Sequence, residues 1–132
     1  SQLREIQQHR ERLKNEIPQL EYLKTFQFQK EPDSIIKYIF ESAKKGDFSD
    51  FRNLCDPYGE NDGDVRSICN AEILSKRLRN ELQDTFKNGR IIGKAIIEDD
   101  RAEIEFAYGL SSNKLEKMEM IKRNNLWYLY AL

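Results

Sequence analysis

The sequence has one histidine, two cysteines and no long apolar run, and each shortage excludes a class of protein. The single His9 lies in a charged stretch beside Arg10. Nucleophilic catalysis by a Ser-His-Asp or Cys-His arrangement needs a histidine in a cleft with an orienting carboxylate. We therefore interpret His9 as a solvated surface residue. No window of eighteen apolar residues exists, so no transmembrane segment is predicted.

Charge of either sign is not in excess. The 22 basic and 23 acidic residues give a net charge of −1, and they alternate along nearly the whole chain. Nucleic-acid-binding domains usually carry a strong basic field, so no nucleic acid partner is predicted. Gly59 and Gly63 fit neither of the glycine-rich phosphate-binding patterns. We accordingly predict no cofactor.

The chain is long enough for one domain with a core. It has 132 residues, of which 39% are hydrophobic, including seven Phe and six Tyr. A chain of this length buries about two-thirds of its unfolded surface. It begins at Ser1 rather than at Met, which we interpret as a mature or trimmed form whose leader is missing.

Residues 1–30 are predicted to form a helical segment of their own, ahead of a domain at residues 31–132. Their apolar residues have the spacing of an amphipathic helix, which Pro18 ends or kinks: Leu3, Ile6, Leu13, Ile17 and Leu20. A helix packing on its own domain is the favoured interpretation. A coiled-coil partner or a spacer from an anchor stays open, because two heptads are too few to decide.

Three further helices are predicted. The first is capped by Asp33 or Ser34, ends at Gly46 and has a continuous apolar face: Ile35, Ile36, Ile39, Phe40 and Ala43. A short helix follows at residues 47–54, and residues 56–66 form a loop rich in turn residues. A long helix is predicted from about residue 70 to residue 88, with one apolar face: Leu74, Leu78, Leu82 and Phe86.

After Gly89 the apolar spacing changes from near four to two, which predicts strands. Four strands are predicted, at about residues 91–98, 101–108, 117–120 and 126–132. Their short turns require antiparallel pairing. One face of this sheet must be covered, and the preceding helices supply the cover. The predicted fold class is therefore α+β, with N-terminal helices packed on a curved four-stranded antiparallel sheet.

Five short motifs carry a resemblance to a known superfamily: AKKGDF at residues 43–48, LCDP at 54–57, GENDGD at 59–64, IC at 68–69 and NLWYL at 125–129. Together with helices followed by a curved meander, they resemble the nuclear-transport-factor-two-like superfamily, an α+β cone. The closer likeness is to small bacterial members of unknown function, many of them lipoproteins of Bacteroidetes. The likeness covers roughly residues 33–132.

The resemblance implies a fold and a cellular location but not a reaction. The implied location is the periplasm or the outer membrane, with the cytoplasm as the alternative. From the residues alone, Cys55 and Cys69 fit either a disulfide or two free thiols. The envelope location favours the disulfide, which would close a loop of about fifteen residues and stabilise the fold by roughly 3 kcal/mol.

Two sets of side chains are candidates for a binding site. A ligand pocket in the cone would be lined by aromatic residues, with plain core packing as the alternative: Tyr38, Phe106, Tyr108, Trp127, Tyr128 and Tyr130. The acidic loop offers oxygen ligands suited to Ca²⁺, although its spacing misses the EF-hand pattern and a simple turn is the alternative: Asp56, Glu60, Asp62 and Asp64.

We predict a non-catalytic domain of the bacterial cell envelope that binds a small ligand or a protein partner. One alternative is a small enzyme acting on a hydrophobic substrate in the cone, which would need an open pocket beside a buried ionisable group. Another is self-assembly, with a homodimer as the simplest product, through apolar residues of the last strand: Leu126, Tyr128, Tyr130 and Leu132.

Overall fold

The structure is a computed structural model that describes residues 24–132. The helix predicted at the N-terminus therefore lies almost wholly outside the described residues, as does His9. Three α-helices are described, α1 Pro32–Lys45, α2 Gly63–Cys69 and α3 Lys76–Phe86, with 3-10 turns at Gln27–Lys30, Phe51–Asn53 and Ala71–Ile73. Four strands follow, β1 Arg90–Glu98, β2 Arg101–Tyr108, β3 Lys114–Arg123 and β4 Leu126–Ala131.

The strands form one antiparallel sheet in the order β1-β2-β3-β4. The predicted α+β class is thus confirmed, with helices first and a meander last. The β3–β4 turn uses Asn124 at φ 50° and Asn125 at φ 65°, and asparagine is among the residues that tolerate positive φ. Within residues 24–132, none of the helices has the length and apolar character needed to cross a bilayer.

Helix α1 begins earlier than predicted. Glu31 precedes the helix and Pro32 occupies its first turn, where the fixed φ and missing N–H of proline cost nothing. Asp33 therefore lies inside the first turn, where its charge suits the helix dipole. The predicted stop is confirmed, because Gly46 takes the left-handed conformation at φ 69°.

The long helix predicted from residue 70 is wrong at its start. Leu74 leaves the helical conformation at ψ 160°, and the side chain of Ser75 caps α3 by accepting a hydrogen bond from the Leu78 N–H. The predicted loop likewise contains the start of α2, which Asp62 caps through the Val65 N–H at 2.9 Å. Short polar side chains set both boundaries, because they satisfy N–H groups that a helix start leaves unpaired.

The core lies between the helices and the inner face of the sheet. Alternate residues of β2, β3 and β4 point into it, and the following are buried: Ile104, Phe106, Met118, Met120, Trp127 and Leu129. The apolar face of α1 packs on them, with the Phe40 ring 6.0 Å from the Phe106 ring. The predicted cover of the sheet by preceding helices is therefore what the structure contains.

Gly89 allows the chain to leave α3 close to α1. A Cβ atom at this position would lie 2.2 Å from Cε1 of Phe40, and Phe40 is held on both sides by Phe86 and Phe106. The ring has no room to retreat, since core side chains are close-packed.

We therefore expect Gly89→Ala to lower the free energy of unfolding by about 1–3 kcal/mol, because overpacking forces strain on the core. Gly63→Ala is the matched control, since nothing lies within 4 Å of a Cβ there. Urea unfolding of both variants measures the difference. Equal stability of the two variants would contradict the close approach.

Candidate functional site

The aromatic residues predicted to line a pocket divide between the two faces of the sheet. Phe106 and Trp127 lie on the inner face and belong to the core, with 1% and 3% of their surface exposed. Tyr108 is half-buried beside Phe106, with ring centroids 5.9 Å apart. Tyr128 alternates with the inward-pointing Trp127 and therefore faces the outer side. These side chains do not converge on a common space.

Tyr38 lies on α1, away from the strand aromatics, in a surface cluster. Its ring stacks on Phe28 at 4.4 Å, and its hydroxyl donates to Asp50 at 3.4 Å. Burial is the main cause that raises the pKa of Tyr38. A hydrogen bond with Ser42 opposes this, and the negative charges of Asp50 and Asp47 add to it. A tyrosine that stays protonated in this way serves as a hydrogen-bond donor that holds Asp50.

Gln29 closes the gap between α1 and β4, and sequence reasoning missed it. The residue is fully buried. Its Nε2 donates to the Trp127 carbonyl at 3.3 Å, and its Oε1 accepts from the Phe26 N–H at 2.8 Å. Its 3-10 turn contacts both α1 and β4. The only signal in the sequence was a polar residue next to Phe28.

Asp56 is the most strongly bonded carboxylate among the described residues. Its side chain has no exposed surface. Its oxygens accept from the N–H groups of Tyr58 and Glu60, both at 3.1 Å. They also accept from Nε and Nη2 of Arg123 at 3.1 and 3.2 Å. This fork geometry is the strongest form of ion pair that a carboxylate makes in proteins.

Arg123 joins the loop to the β3–β4 hairpin through more than one partner. Its Nη2 also donates to Glu60 at 3.1 Å, and its guanidinium lies 4.2 Å from the centre of the Tyr58 ring. Partial burial lowers the pKa of Arg123, but the hydrogen bonds and charges of Asp56 and then Glu60 outweigh it, so the net direction is upward. The guanidinium is thus a permanent cation.

The four carboxylates predicted to bind calcium have separate tasks instead. Asp56 and Glu60 face Arg123. Asp62 caps α2 and accepts from the Leu132 N–H at 3.0 Å, and Asp64 lies exposed in the first turn of α2. Across residues 24–132, no three His, Cys, Asp or Glu side chains are grouped to hold a metal ion. The metal prediction therefore has no geometric support.

A disulfide joins Cys55 to Cys69, with Cα atoms 6.1 Å apart. The predicted pairing is confirmed. It brackets the acidic loop and fixes the end of α2 to the strand-like segment that begins at Leu54. Disulfides persist mainly in oxidising compartments, so this bond supports a location outside the reducing cytoplasm.

The acidic loop also covers the free edge of β4. Leu129 donates to the Leu54 carbonyl at 2.7 Å, and its own carbonyl accepts from the Asp56 N–H at 3.1 Å. Further along, the Asp62 N–H donates to Tyr130 at 2.9 Å. The segment replaces a fifth strand, and Tyr128 is only 1% exposed. Of the four residues predicted for self-assembly, Tyr128 is therefore covered, and the other three are partly buried.

The edge of β1 is the opposite case. In the part of the chain that the structure describes, it has a strand on one side only, β2. Ile96 and Ile97 near its end are 62% and 52% exposed, and edge strands present unpaired backbone N–H and C=O groups. Two surface cavities flank it. One of about 310 Å³ adjoins Ile96 and Arg101, and one of about 400 Å³ lies between Ile97 and Lys37 of α1. This edge is the candidate functional surface.

Comparison with known proteins gives a likeness of fold only. No family model matches the chain, and no curated protein matches it. A designed NTF2-like protein, Rd1NTF2_05 with five substitutions, has a TM-score of 0.49 and 17% identity over 75% of this chain and 91% of its own. The solution structure of a SEC-C motif containing protein from Rhodopseudomonas palustris has a TM-score of 0.49 and 13% identity over 86% of this chain and 83% of its own. Likenesses of this size assign neither a family nor a function.

We expect Asp56→Ala to lower the free energy of unfolding by roughly 3 kcal/mol, since it leaves the half-buried Arg123 without its main partner. The matched control is Glu103→Ala, which breaks the exposed pair between Glu103 and Lys117 and should cost less than about 1 kcal/mol.

Denaturant unfolding of Asp56→Ala, Arg123→Met and the double variant forms a double-mutant cycle for this ion pair. We expect the double variant to be destabilised by less than the sum of the two single changes, because the partners depend on each other. Strict additivity would show that the pair does not hold the loop.

Proposed function

We propose that the chain is a non-catalytic protein-binding domain of the bacterial cell envelope. The observation that carries the proposal is a contrast between interior and surface. The space between sheet and helices is filled by core side chains and closed by Gln29. Six large apolar side chains are exposed among the described residues, and two of them, Ile96 and Ile97, are adjacent on the open strand edge. Unpaired strand edges are a common recognition surface for other polypeptide chains.

The alternative of a small enzyme has weaker support. An acid–base enzyme of this kind needs a buried ionisable group beside an open pocket. The strand aromatics predicted to line such a pocket pack on one another or face the other side of the sheet. Within the described part of the chain, every fully buried side-chain nitrogen or oxygen has a hydrogen-bond partner. No buried polar side-chain atom of the described residues is therefore unpaired and free to bind a substrate.

The envelope location is proposed on two grounds. The disulfide between Cys55 and Cys69 supports an oxidising compartment. Among such compartments, the periplasm and the outer membrane are favoured by the resemblance of the acidic loop and the final strand to bacterial lipoproteins. The cytoplasm is the alternative.

Site-specific photo-crosslinking in the native host tests the proposed surface. Benzoylphenylalanine in place of Ile96 should give protein adducts. The same group in place of Ile73, which is 81% exposed on a 3-10 turn away from β1, should give none. Absence of adducts from both positions would refute a protein-binding role for this edge. Saturable one-to-one binding of an apolar fluorescent probe by the purified protein would favour the enzyme instead.

Alkylation of protein in intact cells, before any reductant is added, tests the location. We expect no reactive thiol after denaturation, because both cysteines are bonded, and two reactive thiols after reduction. The double variant Cys55→Ser, Cys69→Ser is the control for non-specific labelling. Two thiols in the unreduced, unfolded protein would rule out an oxidising compartment.

A further inference from the structure

Strand β1 has an unusual symmetry in its order of side chains. It reads RIIGKAIIE from Arg90 to Glu98, so that residues equally far from the central Lys94 are either alike in chemical type or opposite in charge. Two isoleucines lie on each side, and the ends carry opposite charges. A strand of this kind is complementary to a second copy of itself running in the opposite direction.

An antiparallel pair centred on Lys94 sets matching residues opposite each other. Arg90 of one copy meets Glu98 of the second copy, Ile91 meets Ile97, and Ile92 meets Ile96, and each pair occurs twice. Directly opposite residues of antiparallel strands have neighbouring side chains, so this register gives four apolar pairs and two ion pairs.

The two faces of the sheet also agree with this register. Ile91 is opposite Phe106 and Ile97 is opposite Ala102. Both partners in β2 belong to the buried inner face, so both isoleucines lie on the side of the helices. Ile92 and Ile96 lie opposite Glu105 and Glu103, on the outer side. The pairing would therefore extend the sheet with all helices on one side.

The terminal charges have no competing partner in the described structure. Arg90 and Glu98 are both exposed, and neither makes an ion pair or a side-chain hydrogen bond within residues 24–132. Arg101, the neighbour of Glu98 across the turn, has its guanidinium 4.1 Å from the centre of the Tyr130 ring instead. Both ends are thus available for pairing with a second copy.

Two features oppose the pairing. Gly93, Lys94 and Ala95 form a bulge, because Ile92 lies opposite Glu105 and Ile96 lies opposite Glu103. The two arms, residues 90–92 and 96–98, would pair on either side of it. Lys94 would also meet its own copy at the axis. Bulges and lysines on edge strands commonly keep such strands unpaired. The measurement below decides whether β1 pairs with a second copy or whether these features prevent the pairing.

We propose that the open edge of β1 binds a second copy of this chain, in antiparallel register about Lys94, to give a closed dimer with one eight-stranded sheet. The proposal rests on the proposed function, in which this edge is the binding surface. The dimer is closed because the other edge, β4, is already paired with residues 54–56. Among residues 24–132 no other sheet edge is open, so a two-fold interface that uses β1 leaves none for further growth.

Sedimentation equilibrium of the purified full chain, from about 1 to about 500 µM, tests the proposal through a charge swap. Arg90→Glu and Glu98→Arg each place like charges opposite each other twice. Each should weaken the dimer about tenfold or more. The double variant restores opposite charges and should recover the original dissociation constant. Arg77→Glu, on an exposed part of α3 away from β1, is the matched control and should leave the dissociation constant of the dimer unchanged.

A second pair of variants tests whether the two-fold axis of the dimer lies at Lys94. Lys94→Ala should tighten the dimer, whereas Lys94→Glu keeps like charges at the axis and should not. Circular dichroism of every variant shows whether the fold is retained. A monomer at all concentrations, a dimer unaffected by the single charge changes, or a double variant that fails to recover would each overturn the proposal. Crosslinked adducts at Ile96 with a different protein, together with a monomeric wild type, would overturn the dimer and leave the proposed function standing.

Discussion

The buried carboxylate of Asp56 accepts four hydrogen bonds, two from Arg123 and two from the backbone of its own loop. The carboxylate has no exposed surface, and a buried charge without partners is far more costly than the net gain from an ordinary hydrogen bond. The ion pair therefore fixes where a long polar loop lies. The disulfide at the two ends of the same loop limits the number of conformations that the loop can adopt in the unfolded chain.

The position of this loop decides which edge of the sheet is open. Backbone bonds from Leu54, Asp56 and Asp62 occupy the edge of β4, and Tyr128 becomes buried under the loop. The edge of β1 has no such cover in the described residues. A sheet with one covered edge and one open edge can bind a second chain once, but it cannot grow without limit. In the proposed dimer, the acidic loop acts on binding indirectly, because it leaves β1 as the open edge.

The interior and the surface have different roles in this domain. The aromatic side chains that suggested a ligand pocket provide the packing of the core, and Gln29 seals the gap beside Trp127 with two hydrogen bonds. A filled interior leaves recognition to the surface. In the proposed dimer, recognition depends on the exposed charges of Arg90 and Glu98.

The spacing of apolar residues along the sequence was enough to predict the fold class. The change of apolar spacing after Gly89 depends only on side chains that must face one side of a helix or strand, so it predicted the helices and the meander. The helix starts at Asp62 and Ser75 were missed because a cap depends on one side chain reaching one N–H group, which periodicity does not detect. The Asp56–Arg123 pair, the buried Gln29 and the covered edge of β4 join residues far apart in the chain. Only the tertiary structure decided these contacts. A buried charge or amide needs a partner, and the whole fold determines which groups are buried and which groups lie beside them.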